Sequence, residues 1–283
     1  MIKRLGIVGS GIMGSGIAEV AAKAGLEVIL RSRKQETADA MIAGLRASLA
    51  KQVERGKLDE TEAGEVLGRV SGTHDLHALA ECDLVVESIV EDLEIKKELF
   101  RGLDLAVKDD AILATNTSTL PVVDLAMVTE RPERVCGIHF FNPAPMMSLV
   151  EIVRPLTASD DTIAQAREFA INCGKEPVEV KDRAGFIVNA LLFPYLNNAV
   201  RMLENGTASR DDIDAAMKGG CNFPMGPLAL LDLVGLDTSL AILDALYAEF
   251  RDPNYAAVPT LRRMVAAGHL GRKTKIGFYD YRK

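Results

Sequence analysis

A doubly wound α/β sheet of mostly parallel strands, followed by an all-α C-terminal domain, is the fold class this sequence predicts. Three observations carry that expectation. The chain opens on a short apolar strand, a glycine turn and a helix. Apolar strand runs then alternate with helical-period segments as far as the turn Asp182-Arg183-Ala184-Gly185, the pattern of a parallel sheet with crossover helices. Beyond that turn strand signals nearly vanish and long apolar helices remain. The expected division is an N-terminal domain over residues 1–183 and a helical domain over 184–283.

The bulk composition narrows the class. The chain has 283 residues, 48% hydrophobic and 26% charged, an ordinary globular balance that can fill two domains. A net charge of −7 sets nucleic acids and membrane surfaces aside as partners, so any basic site for an anionic ligand must be local. Cys82, Cys136, Cys173 and Cys221 lack metal-ligand spacing. They read as small buried hydrophobes of a reducing, cytoplasmic compartment, and no metal site is expected. No apolar run approaches the roughly 20 residues of a membrane span. Met1 to Val8 runs directly into the first strand, which does not suit a cleaved signal.

Ile2, Leu5, Ile7 and Val8 carry apolar side chains on both faces of that strand, as burial inside a sheet requires. The strand ends in Gly9-Ser10-Gly11-Ile12-Met13-Gly14, and Ile17, Val20, Ala21 and Ala24 continue at helical spacing to a second strand, Glu27 to Arg31. This is the context of the dinucleotide fingerprint of a Rossmann-type fold. Gly9 permits the tight turn, Gly11 lets backbone approach a pyrophosphate and Gly14 lets helix and strand pack. The helix start at Ile12 and Met13 offers N–H groups to the phosphates. An NAD site normally places an acid at the end of the second strand; here stand Arg31, Ser32 and Arg33. Guanidinium forks match the 2′-phosphate of NADP, so NADP(H) is favoured as cofactor over NAD(H).

Residues 34 to 57 form a long amphipathic helix whose polar side carries Arg46, Ser48, Lys51 and Arg55. Such a face is either solvated surface or a patch for an anionic ligand. A shorter helix (Glu60 to Leu67) and a strand (Val70 to Thr73) follow. Leu84 to Glu91 reads as a buried strand and its exit, Asp92 to Val107 as a helix, and Ala111 to Thr115 as another strand. Ligands of open parallel sheets sit outside the carboxyl ends of the strands. That rule singles out Glu91, Lys96, Asn116 and Ser118. Asn116-Thr117-Ser118 also reads as an N-cap for a helix begun at Leu120-Pro121.

The segment Arg134 to Pro145 delivers His139 at a strand end, and the next strand, Leu149 to Val153, holds one carboxylate, Glu151, in an apolar run. A buried carboxylate needs a partner, and adjacent strands joined by a turn make His139 the natural one. An imidazole so held can move a proton near neutral pH. A helix over 159–173 and a strand over 176–180 close the first domain. Helices over 186–203, 209–217, 228–250 and 260–267 form the second, with Asn189 as a polar group in an apolar face.

With these residues in view, the chain resembles the short-form 3-hydroxyacyl-CoA dehydrogenases over nearly its whole length. The most specific part is Gly137-Ile138-His139-Phe140-Phe141-Asn142-Pro143 followed by Glu151, with Gly185 to Asn189 and Pro224-Met225-Gly226-Pro227 in agreement. The resemblance implies that His139 is the general base, that Glu151 orients it, and that Ser118 and Asn189 contact the reacting oxygen. It implies positions around the nicotinamide half of the cofactor for Glu91, Lys96, Ser118 and Asn142. It puts Ser48, Lys51 and Arg55 where the family meets coenzyme A. The implied reaction is reversible hydride transfer between a nicotinamide cofactor and a short-chain 3-hydroxyacyl-CoA/3-oxoacyl-CoA pair. A homodimer through the helical domain is expected as well.

Three departures stand out: Ser32 where the family commonly has Asp, Phe223 before the Pro-Met-Gly-Pro turn, and Lys275 where a glycine is usual. Two rival readings share the two-domain plan. A β-hydroxyacid dehydrogenase of another type would use a lysine on the first long C-terminal helix, and Phe186 to Leu203 contains none. A non-catalytic nucleotide-binding protein would have no need of the His139, Glu151, Ser118 and Asn189 set.

Overall fold

Contacts between Cα atoms divide the chain into two units, Met1–Asp182 and Arg183–Lys283. The structure, a computed structural model, describes residues 2–282. The first unit runs β1 (Arg4–Val8), α1 (Ile12–Lys23), β2 (Glu27–Arg31), α2 (Gln35–Glu54), α3 (Glu60–Gly68), β3 (Val70–Thr73), β4 (Leu84–Glu87), α4 (Leu93–Ala106), β5 (Ile112–Thr115), α5 (Val122–Ala126), β6 (Val135–Phe140), β7 (Leu149–Arg154), α6 (Asp160–Asn172) and β8 (Glu176–Lys181). The strands form one sheet in the order β3-β2-β1-β4-β5-β6-β7-β8. Its pairs are parallel except β6 with β7. This is the doubly wound, mostly parallel sheet that the alternation of strands and helices predicts.

Burial explains why the strands read as continuous apolar runs. Every residue of β4, β5 and β6 is buried, because helices cover both faces of a parallel sheet. Ile17, Ala18 and Ala21 of α1, Met41, Leu45 and Leu49 of α2, and Ile163 and Phe169 of α6 join Leu5, Ile7, Val28 and Ile152 of the sheet in one core. Side-chain oxygens start several helices by accepting backbone N–H groups. Asp92 accepts from Ile95 at 3.0 Å, Ser159 from Thr162 at 3.1 Å, and Asp59 forms a reciprocal capping box with Glu62.

The helix after β5 departs from the sequence reading. Asn116 to Ser118 do not cap it: α5 starts at Val122, and the Asp182 carboxylate accepts from Val122 N at 3.0 Å and Val123 N at 2.7 Å. A cap delivered from 60 residues away in the chain leaves no local signature. The Thr117 hydroxyl instead accepts from Leu120 N at 3.0 Å, inside the loop.

The second unit is mainly helical: α7 (Val188–Glu204), α8 (Arg210–Cys221), α9 (Pro227–Val234), α10 (Leu236–Phe250) and α11 (Pro259–Ala266), with short 3₁₀ turns and two isolated antiparallel bridges near its end, Gly271 with Ile276 and Ile276 with Asp280. Phe193, Leu196, Leu228, Leu231, Leu243, Leu246 and Leu261 form its core. The helix expected over 228–250 is broken at Gly235, whose φ of +104° lies outside helical space. Cys221 departs from expectation too; it is exposed, while the other three cysteines are buried.

The last residues are tied down by two carboxylates. Asp232 accepts from Phe278 N and Tyr279 N, each at 2.8 Å, and from the Tyr281 hydroxyl at 3.1 Å. Asp214 accepts from Leu228 N at 2.8 Å, Ala229 N at 3.0 Å and the Tyr279 hydroxyl at 2.8 Å. A Cβ on Gly277 would lie 2.0 Å from Asp232 Oδ1, so the approach requires glycine there.

Lys275, the departure noted in the sequence, keeps a left-handed backbone with φ +59°. A non-glycine residue there is strained by about 1–2 kcal/mol, of which glycine's greater freedom in the unfolded chain offsets about 0.5–1 kcal/mol. Lys275→Gly is expected to raise the thermal midpoint by about 1–3 °C. A fall in the melting temperature would show that the lysine side chain contributes more than its backbone costs.

Candidate active site

The carboxyl ends of the parallel strands gather most of the polar residues that the sequence singles out. At the end of β1, Gly9 has φ +135°, and a Cβ there would lie 2.2 Å from the Ser88 carbonyl oxygen. A Cβ on Gly14 would lie 2.4 Å from the Gly9 carbonyl oxygen. Both positions therefore exclude side chains. Gly11 is different: it caps α1 without a side-chain hydrogen bond, and a Cβ there would meet nothing within 4 Å. The first turn of α1, with the N–H groups of Ile12 and Met13, thus begins beside a backbone position clear of side chains. That is the cradle a pyrophosphate needs, and these residues fit a dinucleotide.

At the end of β2 the Ser32 side chain is buried and its N–H donates to the Thr73 carbonyl at 3.0 Å. Arg31 Nε donates to the His74 carbonyl at 3.3 Å. Burial, and then the nearby Arg33 cation, hold the Arg31 guanidinium below its usual pKa.

Between β4, α4 and β5 lies a cluster of charge. Lys96 is buried, and its Nζ donates to Glu87 Oε1 at 2.6 Å and sits 3.2 Å from Glu91 Oε2. Glu87 is fully buried and also accepts from Ile89 N at 2.6 Å and the Thr115 hydroxyl at 2.7 Å. Glu91 accepts from the Thr117 hydroxyl and from Ser118 N at 3.1 Å. Burial alone would raise the Glu91 pKa, but Lys96 and these hydrogen bonds outweigh it and hold the carboxyl below its ordinary range. Glu87 was missed by sequence reasoning. The signal was present, since it is an acid closing the apolar run Leu84-Val85-Val86, the same feature that drew attention to Glu151.

His139 and Glu151 stand opposite each other in the antiparallel register of β6 and β7. His139 Nδ1 lies 2.7 Å from Glu151 Oε2, with the carboxylate fully buried and the ring nearly so. A carboxylate only accepts, so Nδ1 carries the hydrogen and Nε2 is the basic nitrogen. Phe141 packs against the imidazole with ring centroids 4.5 Å apart. The Asn116 side chain accepts from Phe140 N at 2.8 Å, which ties the loop after β5 to the residue beside His139.

A groove of about 480 Å³ runs between α1 and α2 and is closed by Asn142 to Pro145. Ile12, Ser15, Gly16 and Glu19 line one side; Thr37, Ala40, Gly44 and Ser48 line the other. Ser48 does not point its proton at the groove, because its hydroxyl donates to Glu19 Oε2 at 2.9 Å. Lys51, farther along α2, and Arg55, just past its end, are exposed. Asn189 sits buried in the first turn of α7, in the helical unit. Among the described residues no group of three or more His, Cys, Asp or Glu could hold a metal ion.

A glycine cradle at the end of β1 and a carboxylate-held histidine at the end of β6 define the class: a nicotinamide-dependent oxidoreductase. Comparison with known proteins agrees. The description 3-hydroxyacyl-CoA dehydrogenase, NAD binding domain, matches residues 4–183, and its C-terminal counterpart matches residues 185–281. The chain belongs to the 3-hydroxyacyl-CoA dehydrogenase family. It is 48% identical over 280 residues to 3-hydroxybutyryl-CoA dehydrogenase of Clostridioides difficile, covering 99% of this chain and 100% of that one. The crystal structure of FadB2 from Mycobacterium tuberculosis superposes with a TM-score of 0.96 at 48% identity, over 99% of both chains. That of (S)-3-hydroxybutyryl-CoA dehydrogenase PaaH1 from Ralstonia eutropha gives 0.97 at 42% identity, over 100% of both.

The open space at Gly11 generates a clean test of the cradle. Gly11→Ala is expected to lower the melting temperature by no more than about 4 °C, since the two residues differ by a few tenths of a kcal/mol to about 1 kcal/mol at an N-cap. It should weaken NAD(P)H binding, followed by cofactor fluorescence, about tenfold or more, because the methyl occupies the pyrophosphate's approach. Unchanged binding would remove Gly11 from the site.

Proposed function

We propose that this enzyme interconverts a short-chain (S)-3-hydroxyacyl-CoA and its 3-oxoacyl-CoA, the pair 3-hydroxybutyryl-CoA and acetoacetyl-CoA being the reference substrates. The observation that carries the reading is the 2.7 Å contact between His139 Nδ1 and Glu151 Oε2 at the end of the sheet. The cofactor, when bound, supplies or takes up a hydride at its nicotinamide C4. The protein's part is to hold the substrate and move one proton. In the oxidising direction His139 Nε2 takes the hydroxyl proton, and Glu151 stabilises the imidazolium that results. In the reducing direction the imidazolium returns that proton to the oxygen at C3, which the Ser118 hydroxyl helps to hold.

The residues at the end of β2 favour NADP(H). Arg31 and Arg33 are close enough for one cation to disturb the other, and a 2′-phosphate between them would relieve that repulsion. No carboxylate stands at Ser32 to repel it. At the end of α2, Lys51 and the capping residue Arg55 supply charge for the phosphates of coenzyme A, and the groove beside Ser48 gives its neutral middle portion a path. Leu191, Met202, Leu233 and Val234 leave exposed apolar surface on the helical unit, which supports assembly as a homodimer.

Steady-state kinetics with acetoacetyl-CoA test the reaction. NADPH should give a higher kcat/KM than NADH, and Ser32→Asp should reverse the order. His139→Gln and Glu151→Gln should each lower kcat, the histidine change by about 10²–10⁴-fold, with the fold intact by circular dichroism. Near-normal turnover in both variants would refute the assignment of the base. Sedimentation should report a dimer for the native chain and a monomer for Leu191→Glu; a native monomer would remove the assembly from the proposal.

A further inference from the structure

The charged cluster at the ends of β4 and β5 closes on itself. Starting at Glu87, Oε2 accepts from the Thr115 hydroxyl at 2.7 Å, and the Thr115 oxygen accepts from Thr117 N at 3.1 Å. The Thr117 hydroxyl donates to Glu91 Oε1, Glu91 Oε2 faces Lys96 Nζ at 3.2 Å, and Lys96 Nζ donates back to Glu87 Oε1 at 2.6 Å. Glu87, Lys96, Thr115 and Thr117 are all at most 1% exposed, and Glu91, its side chain 39% exposed, closes the circuit at the surface. The circuit holds two carboxylates and one ammonium, so the lysine serves as a bridge between acids.

What the circuit encloses is the start of the loop after β5. Asn116 N donates to the Glu87 carbonyl at 2.8 Å, and the Asn116 side chain accepts from Phe140 N at 2.8 Å, next to His139. Ser118 N donates to Glu91 Oε1 at 3.1 Å. Each residue from 116 to 118 is therefore tied to the ring or to β6 by its own backbone or side chain. We infer that this buried ring is the device that positions Ser118 and Asn116 for the reaction, with Glu87 and Thr115 as its positioning residues. The inference rests on the proposed reaction for its kinetic consequence, though the ordering of the loop stands apart from it.

Fixed geometry is the reason such a ring matters to rate. A misplacement of about 1 Å in a group that holds the reacting atom can cost about 10²-fold, and a loop of short polar side chains has no packing of its own to prevent it. Four of the ring's five members are buried and all five are paired, so opening it at Thr115 or Glu87 leaves buried donors and acceptors unmatched.

Thr115→Val opens the ring while keeping the side-chain shape, and Thr115→Ser keeps the hydroxyl. Glu87→Gln opens it at the other end and serves if the valine variant does not fold. The opened variants should lose about tenfold in kcat with little change in either KM, measured well below their melting temperatures. The Ser118 amide, which Thr115 does not touch, should exchange its hydrogen faster in them. Thr115→Ser should recover most of the turnover and the slow exchange. Wild-type kcat in a folded, opened variant would overturn the inference, since a merely structural ring would move only the melting temperature. If the native enzyme fails to reduce acetoacetyl-CoA with either cofactor, the proposed reaction fails by itself. Exchange at Ser118 then still decides the ring: faster in Thr115→Val upholds it, and unchanged sinks it.

Discussion

The antiparallel pairing of β6 with β7 is the constraint on which the rest of the site depends. It sets His139 opposite Glu151 in register and buries the acid where water cannot reach it. A carboxylate in that place is tolerable only with a donor beside it, so the imidazole is fixed in one tautomer by the same contact that pays for the burial. Reversing the direction of β7 would pass the chain back across the sheet and separate the two residues. The single antiparallel pair in an otherwise parallel sheet therefore sets the His139–Glu151 contact as well as closing the fold.

Glu87 obeys the same rule on the neighbouring strands. It too ends an apolar run, is fully buried, and has three donors around it. The mouth of the sheet is thus built around two buried acids, one paired with an imidazole and one with an ammonium and a hydroxyl. Both rely on a side chain from an adjacent strand, Thr115 for Glu87 and His139 for Glu151, which the order β4-β5-β6-β7 brings within reach.

Much of this was legible in the sequence because it is local. The glycine turn at Gly9 to Gly14 needs only its own residues and the strand and helix beside it. The pairing of His139 with Glu151 follows from two strands joined by a short loop and the cost of a lone buried charge. What escaped was carried by distant chain. Asp182 caps α5 from far along the sequence, and nothing near Leu120 announces it. Lys96 stands out in the sequence only as following the carboxyl end of a strand, and nothing local announces that Glu87 draws it into the core. Ser48 read as a hydroxyl for a ligand, while the buried Glu19 across the α1–α2 boundary accepts its hydrogen bond. The break at Gly235 was overlooked because the apolar period continues through it and only the backbone changes.

The clasp that Asp214 and Asp232 make on residues 278–281 has a practical corollary. Protease trimming that removed Tyr279 and its neighbours would strand two acids among apolar helices with fewer donors than they have now, so clipping there should be felt throughout the helical unit. Affinity tags or fluorescent fusions are accordingly better joined ahead of β1, or through a spacer that lets those aromatic residues keep their seats.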